Sequence, residues 1–220
     1  PVSLVRPVRR GTMRAMKNIV ILISGRGSNM EAVVRAANSE AWPAKIAAVI
    51  SNKADAKGLE FAQAHGIPTA VVANKDFATR DQFDAKLQEV IDGFAPDLVV
   101  LAGFMRILTA PFVEHYEGRM MNIHPSLLPL FPGLHTHQAA IDSGVAEHGA
   151  TVHFVTAQLD HGPVVAQAKV PVLPGDTEDT LSARVLVEEH KLYPYAIRLF
   201  VEDRISIVGG DVRIADTVNI

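Results

Sequence analysis

The run Asn18-Ile-Val-Ile-Leu-Ile-Ser24, closed by Gly25-Arg-Gly-Ser-Asn29 and followed by helix-prone residues 30–38, decides how this 220-residue chain is read. An uncharged stretch rich in β-branched residues predicts a central strand buried on both faces, as in a parallel sheet. A glycine-containing turn and a helix directly after it make the strand–turn–helix unit of α/β folds. Working outward, residues 45–51 predict a second strand, 56–65 a helix and 68–72 a short third strand. Thr79-Arg-Asp-Gln82 has capping-box spacing and opens a helix to about residue 94. Residues 98–101 give a fourth strand, and 109–116 a short helix with Pro111 in its first turn.

Residues 120–123 form a fifth strand that runs into a proline-rich loop, 124–133. A helix over 135–143, two strands over 150–155 and 164–170, and a long helix over 177–200 follow. Pro194 is expected to bend or interrupt that last helix. The fold class is therefore α/β: a Rossmann-like, doubly wound, mostly parallel sheet with antiparallel additions in the C-terminal half. A single domain is expected over residues 17–204. Residues 1–16, with four arginines, read as a poorly ordered leader or upstream extension, and 205–220 as a tail able to form a hairpin.

Composition narrows the chemistry. Hydrophobic residues at 48% and charged residues at 20% mark a globular chain. A net charge of −3, from 21 Lys+Arg against 24 Asp+Glu, supplies no general attraction to nucleic acid or anionic membrane. The N-terminus has no apolar core of a secretory signal, and no apolar run approaches the roughly 20 residues of a membrane helix, so a cytoplasmic location is expected. The absence of cysteine removes disulfides, thiolate catalysis and Cys-ligated metal centres. Histidine is left, and seven of the nine fall between positions 115 and 161.

In doubly wound sheets ligands bind beyond the carboxyl ends of the strands, so the residues after each strand carry the functional signal. The Ser24–Asn29 turn can present backbone N–H groups to an anion such as phosphate. It lacks the third glycine of the dinucleotide fingerprint and the lysine of a Walker loop, and a plain turn capped by Ser28 or Asn29 reads equally well. Asn122 and His124 are two apart at the end of the fifth strand and so point to one side. An amide and an imidazolium placed together suit a developing oxyanion. Asp160, in the Asp160-His-Gly-Pro163 turn, would favour the protonated form of His124 if the fold brings them together. The pair His135/His137 lacks metal-ligand spacing on a helix, and no Gly-x-Ser-x-Gly elbow exists, so metal and serine-hydrolase sites are disfavoured.

Read together, Ile23-Ser-Gly-Arg-Gly-Ser-Asn29, Ser51-Asn-Lys-Ala-Asp55, Leu101-Ala-Gly-Phe-Met-Arg-Ile-Leu108, Asn122-Ile-His-Pro-Ser-Leu-Leu-Pro129 and Phe131-Pro-Gly-Leu-His-Thr-His137 resemble the folate-dependent phosphoribosylglycinamide formyltransferase family. His148-Gly149, Val152-His-Phe-Val155 and Asp160-x-Gly-Pro163 extend the resemblance over residues 17–204. The resemblance implies the formyltransferase fold and transfer of formyl from 10-formyltetrahydrofolate, as co-substrate, to the amine of glycinamide ribonucleotide, without a metal. It implies Asn122, His124 and Asp160 as the catalytic trio, Gly27, Ser28 and Asn29 at the substrate phosphate, and Glu189 at the glycinamide end. It implies Arg80, Met105, Arg106, Ile107, Leu108, Asn122, Thr156, Ala157, Gln158, Leu159 and Asp160 at the folate. His135, His137, His153 and Thr151 are expected to support the trio, Thr151 by holding a water near Asp160. The other histidines, His65, His115, His148, His161 and His190, are expected in loops, caps or surface. The partners implied are the two small molecules, neither nucleic acid nor membrane, with the protein a monomer or homodimer. A formyltetrahydrofolate hydrolase and a non-catalytic nucleotide-binding module are the alternative readings. A tRNA formyltransferase is expected to carry a further C-terminal domain and more basic charge.

Overall fold

The structure, a computed structural model, describes residues 16–216; residues 1–15 of the expected leader and 217–220 of the tail lie outside the described residues. Strands β1 (Lys17–Ile23), β2 (Ala44–Ser51), β3 (Thr69–Val71), β4 (Leu98–Leu101) and β5 (Met120–His124) are parallel neighbours. Strands β6 (Glu147–Phe154) and β7 (Val164–Pro171) extend the sheet in antiparallel fashion. The spatial order is β3-β2-β1-β4-β5-β6-β7. The chain moves outward from β1 through β2 and β3 and then returns to the other side of β1, so strand order reverses between β1 and β4. That reversal opens a crevice at their carboxyl ends.

Alternate residues of β1 serve opposite cores, as the uncharged run predicts. Ile19, Ile21 and Ile23 pack in one core with residues of α1 (Ser28–Ser39), α2 (Gly58–Ala64) and α6 (Glu178–Val201). Val20 and Leu22 pack on the other face with Phe83 and Leu87 of α3 (Arg80–Asp92) and Phe112 of α4 (Ala110–His115). All five β1 side chains are fully buried. A short helix α5 (Thr136–Ser143) follows the proline-rich loop, and β8 (Ile205–Val208) and β9 (Asp211–Ile214) form the expected hairpin.

Three local expectations are revised. The sixth strand starts at Glu147 and not at residue 150; Gly149 lies inside it, where β7 approaches so closely that a Cβ would meet the Ala168 carbonyl. His148, expected at the surface, is therefore fully buried within β6. The last helix is uninterrupted by Pro194. Tyr193, Ala196 and Ile197 are fully buried around the proline, and the Tyr193 hydroxyl lies 2.7 Å from the Leu101 carbonyl and 3.0 Å from that of Met121. Tertiary packing thus holds the helix across its missing N–H. The Thr79 hydroxyl does cap α3 by accepting from Gln82 N, but Gln82 reaches back to Ala78 N and not to Thr79 N. The complete capping box is at α6, between Thr177 and Thr180.

Because Tyr193 joins α6 to the ends of β4 and β5, Tyr193→Phe removes the one hydroxyl hydrogen that these two carbonyls share. A loss of about 1–3 kcal/mol is expected, read as a lower urea midpoint at unchanged slope.

Candidate active site

Two corners stand at the carboxyl edge of the sheet. The first begins at the end of β1, where the Ser24 hydroxyl donates to Asn52 Oδ1 at 2.6 Å and accepts from Met105 N at 2.8 Å. One side chain thereby ties together the segments leaving β1, β2 and β4. Gly27 is the residue before α1, in the left-handed region at φ 66°, and no side chain caps the helix. Neither Ser28 nor Asn29 is a cap: the Ser28 hydroxyl meets His190 Nε2 at 3.1 Å, and the Asn29 amide donates to Glu189 Oε1 at 3.2 Å. With both side chains engaged elsewhere, the first-turn N–H groups are left to face an open cleft of about 560 Å³, where Arg26 and Lys53 add positive charge. Burial pushes the Glu189 carboxyl up to about 7, against the lowering effect of the Asn29 hydrogen bond.

The second corner lies at the end of β5. Asn122 is half-buried, and among the described residues no group hydrogen-bonds its side chain. His124, two residues on, is buried; its Nε2 lies 2.9 Å from the Phe131 carbonyl and its Nδ1 3.6 Å from Asp160 Oδ1. Both ring nitrogens thus face acceptor oxygens, one at hydrogen-bond distance and one beyond it. The longer contact exceeds direct hydrogen-bond reach and leaves Nδ1 open to a reacting oxygen or a bridging water. Asp160 is held by Gly133 N, which donates to Oδ2 at 2.9 Å. Its loop must pass so close to β6 that a Cβ on Gly162 would strike the Phe154 carbonyl.

The proline-rich loop that carries Phe131 is clamped from below. The Thr151 hydroxyl donates to Ser126 O at 2.7 Å and accepts from Leu128 N at 3.1 Å and Gln167 Nε2 at 2.9 Å. Saturated in this way, Thr151 has no hydrogen left for a water near Asp160, and it acts by fixing the loop. Phe131, His135 and Asp160 all adopt positive φ, at 49°, 55° and 56°. Such strain costs about 1–3 kcal/mol per residue and gathers where the surrounding structure over-determines a site.

The expected supporting histidines divide. His153 is buried, lies opposite Asn122 in the β5–β6 ladder, and donates from Nδ1 to Phe154 O. His137 Nδ1 meets the buried His148 Nε2 at 3.0 Å. Burial pushes all three toward neutrality, His148 down to about 4. His135, in contrast, is exposed and nearest to Glu178, 3.9 Å away, and does not support the trio. A left-handed residue before α5 turns its side chain outward.

Of the expected folate residues, Met105, Ile107 and Leu159 present exposed apolar side chains, and Ala157 and Gln158 are exposed beside them. Thr156 closes its own loop through a hydrogen bond to Gln158 O, and Leu108 is half-buried against the core. Arg80 donates to the Ile107 carbonyl at 2.8 Å, bracing the segment. The Arg106 side chain turns inward over the Phe83 ring, 3.9 Å from its centroid, and bonds Asn74. Its backbone alone remains for a ligand. Ser24 and Asn52, which the sequence places within two motifs at strand ends without a role of their own, tie the first corner together.

A family model described as formyl transferase matches residues 17–197. The chain is 53% identical over 190 residues to the phosphoribosylglycinamide formyltransferase of Escherichia coli, covering 86% of this chain and 90% of that one. It is 45% identical to part of the human trifunctional purine biosynthetic protein adenosine-3, over 86% of this chain and 19% of that one. The glycinamide ribonucleotide transformylase 1 structure from Symbiobacterium toebii superposes with a TM-score of 0.89 at 46% identity, covering 92% and 96%. A formyltetrahydrofolate deformylase from Pseudomonas syringae superposes with a TM-score of 0.86 at 27% identity, covering 93% and 67%.

Glu189 gives a pH signature. Between about 4.5 and about 7 the folded chain keeps a proton that the unfolded chain has released, so this group's contribution to stability falls as pH rises through that window. Glu189→Gln is expected to remove a slope of up to about 3 kcal/mol across it, read from urea midpoints at the two ends of the window.

Proposed function

The chain belongs to the formyl transferase family, and on that premise we propose that it transfers the formyl group of 10-formyltetrahydrofolate to the primary amine of glycinamide ribonucleotide. The observation that carries the reading is the pairing of the two corners. An anion-receptive helix start with a buried carboxylate stands on the same sheet edge as an unpaired amide and a His–Asp pair. A phosphate-bearing amine fits the first corner, and acyl-transfer chemistry fits the second.

The substrate phosphate occupies the amides of Gly27, Ser28 and Asn29, and Glu189 receives the glycinamide end. The folate lies along residues 105–108 and 156–160, against the apolar surface of Met105, Ile107 and Leu159. The neutral amine attacks the formyl carbon, forming a carbon–nitrogen bond and a tetrahedral oxyanion. The Asn122 amide and protonated His124 stabilise that oxygen. Asp160 sustains the imidazolium and, through water, passes the proton from the attacking nitrogen to the folate nitrogen that leaves as its bond to carbon breaks. No covalent enzyme intermediate forms, and the step as written uses no metal. The reading carries with it a cytoplasmic protein, monomer or homodimer, whose partners are these two small molecules. Among the described residues no helix is long and apolar enough to cross a membrane.

A hydrolase that releases formate would have a use for the second corner, and a formyltetrahydrofolate deformylase is similar in fold, but it would have no use for Glu189 and the anion-receptive helix start. The purified protein is expected to deformylate the folate only when the ribonucleotide is present; turnover without it would favour the hydrolase. His124→Ala and Asp160→Asn are each expected to cut turnover by at least about 10²-fold with the fold retained, and near-wild-type rates would remove that residue from the mechanism.

A further inference from the structure

The transfer step makes no use of His190. It stands on α6 beside Glu189, half-buried, with Nε2 3.1 Å from the Ser28 hydroxyl at the first residue of α1. That hydroxyl has no other hydrogen-bond partner among the described residues. A hydroxyl owns one hydrogen, so the polarity of this bond decides what Ser28 can offer the cleft. If Ser28 donated to a bare Nε2, it would present only lone pairs to an arriving anion. If Nε2–H donates instead, the hydroxyl hydrogen stays free to point outward.

The surroundings favour the second arrangement once an anion is present. Burial first, and the Arg26 charge next, push His190 toward its neutral form, while Glu31 opposes them. Arg26 and Glu31 are themselves paired at 3.5 Å above the same turn. No described group hydrogen-bonds Nδ1, so the neutral ring is free to carry its proton on Nε2. We propose that His190 is a positioning residue for the phosphate end of the ribonucleotide: its Nε2–H donates to Ser28 Oγ and commits the Ser28 hydroxyl hydrogen to a phosphate oxygen. This rests on the reading of the Gly27–Asn29 turn as the phosphate cradle. His190 touches no reacting atom and acts only through Ser28.

A structural tie between α1 and α6 would make the same contact, so the test must separate the two. Ribose 5-phosphate binding to the full chain is measured by calorimetry for wild type, His190→Leu, His190→Gln, Ser28→Ala and the Ser28→Ala/His190→Leu pair. Leucine fills the space without a donor, whereas the glutamine amide restores one. His190→Leu and Ser28→Ala are each expected to weaken binding by about tenfold, the pair no more than Ser28→Ala alone, and His190→Gln to recover most of the loss. In the transfer assay the KM for glycinamide ribonucleotide rises in step, while kcat and the KM for the folate hold. Wild-type affinity in His190→Leu, additive losses in the pair, no rescue by glutamine, or no ribose 5-phosphate binding by wild type would each overturn the proposal. His190-dependent binding without transfer would leave it standing and remove the transfer reading; transfer with binding blind to His190 would do the reverse.

Discussion

A strand whose two faces are both buried can carry no charge and must find a core on each side, and β1 imposes that condition on its neighbours. Its odd-numbered isoleucines require α1, α2 and α6 on one face, and Val20 and Leu22 require α3 and α4 on the other. Helices reach both faces only if the chain winds in two directions from β1, which is what the order β3-β2-β1-β4 records. The crevice follows from that winding. At its mouth the first polar residue after β1, Ser24, is buried, and its hydroxyl finds its partners, among the described residues, on the segments that leave β2 and β4.

The chemistry proposed at β5 would depend on a second constraint, the rigidity of what surrounds His124. An imidazole stabilises a transient charge only if it need not reorient as the charge appears. Thr151 and Gln167 fix the proline-rich loop, the loop sets the Phe131 carbonyl, and that carbonyl sets the ring. Asp160 reaches the ring from another loop, in a left-handed conformation, held by Gly133 N. The antiparallel strands β6 and β7 thus have a task beyond widening the sheet. They are the platform on which both loops rest.

Much of this is legible in the sequence because strand ends announce themselves. The uncharged run 18–24, the offset of two between Asn122 and His124, and the Asp160-x-Gly-Pro turn are local signals, and the elements stand where they predict. Local signals mislead where a neighbour overrides them. The sixth strand begins before the expected residue 150 and takes in Gly149, where only the absence of a side chain admits β7 at that distance. Pro194 reads as a bend or an interruption, and α6 runs on through it without interruption while Tyr193 pins the helix to two strand ends. His135 and His148 exchange their expected places for the same kind of reason. One precedes a helix in a conformation that turns it outward, and the other belongs to a strand whose start was set too late.

What the sequence could not disclose is who faces whom at the anion corner. Asn29 and Glu189 are 160 positions apart, and Ser28 and His190 are 162 apart. No periodicity or spacing links them, and each alone has an ordinary local reading as a cap or a solvated helical residue. The pairing comes from α6 packing against α1 over the core beneath β1, so the carboxylate and imidazole that line this corner are chosen by tertiary geometry. Placed there, both groups are pressed toward their uncharged forms by burial. An anion at the helix start therefore faces two groups whose charged forms burial opposes. On the proposed reading, a phosphate and an amine would sit in neighbouring positions here, beside groups whose charge burial opposes.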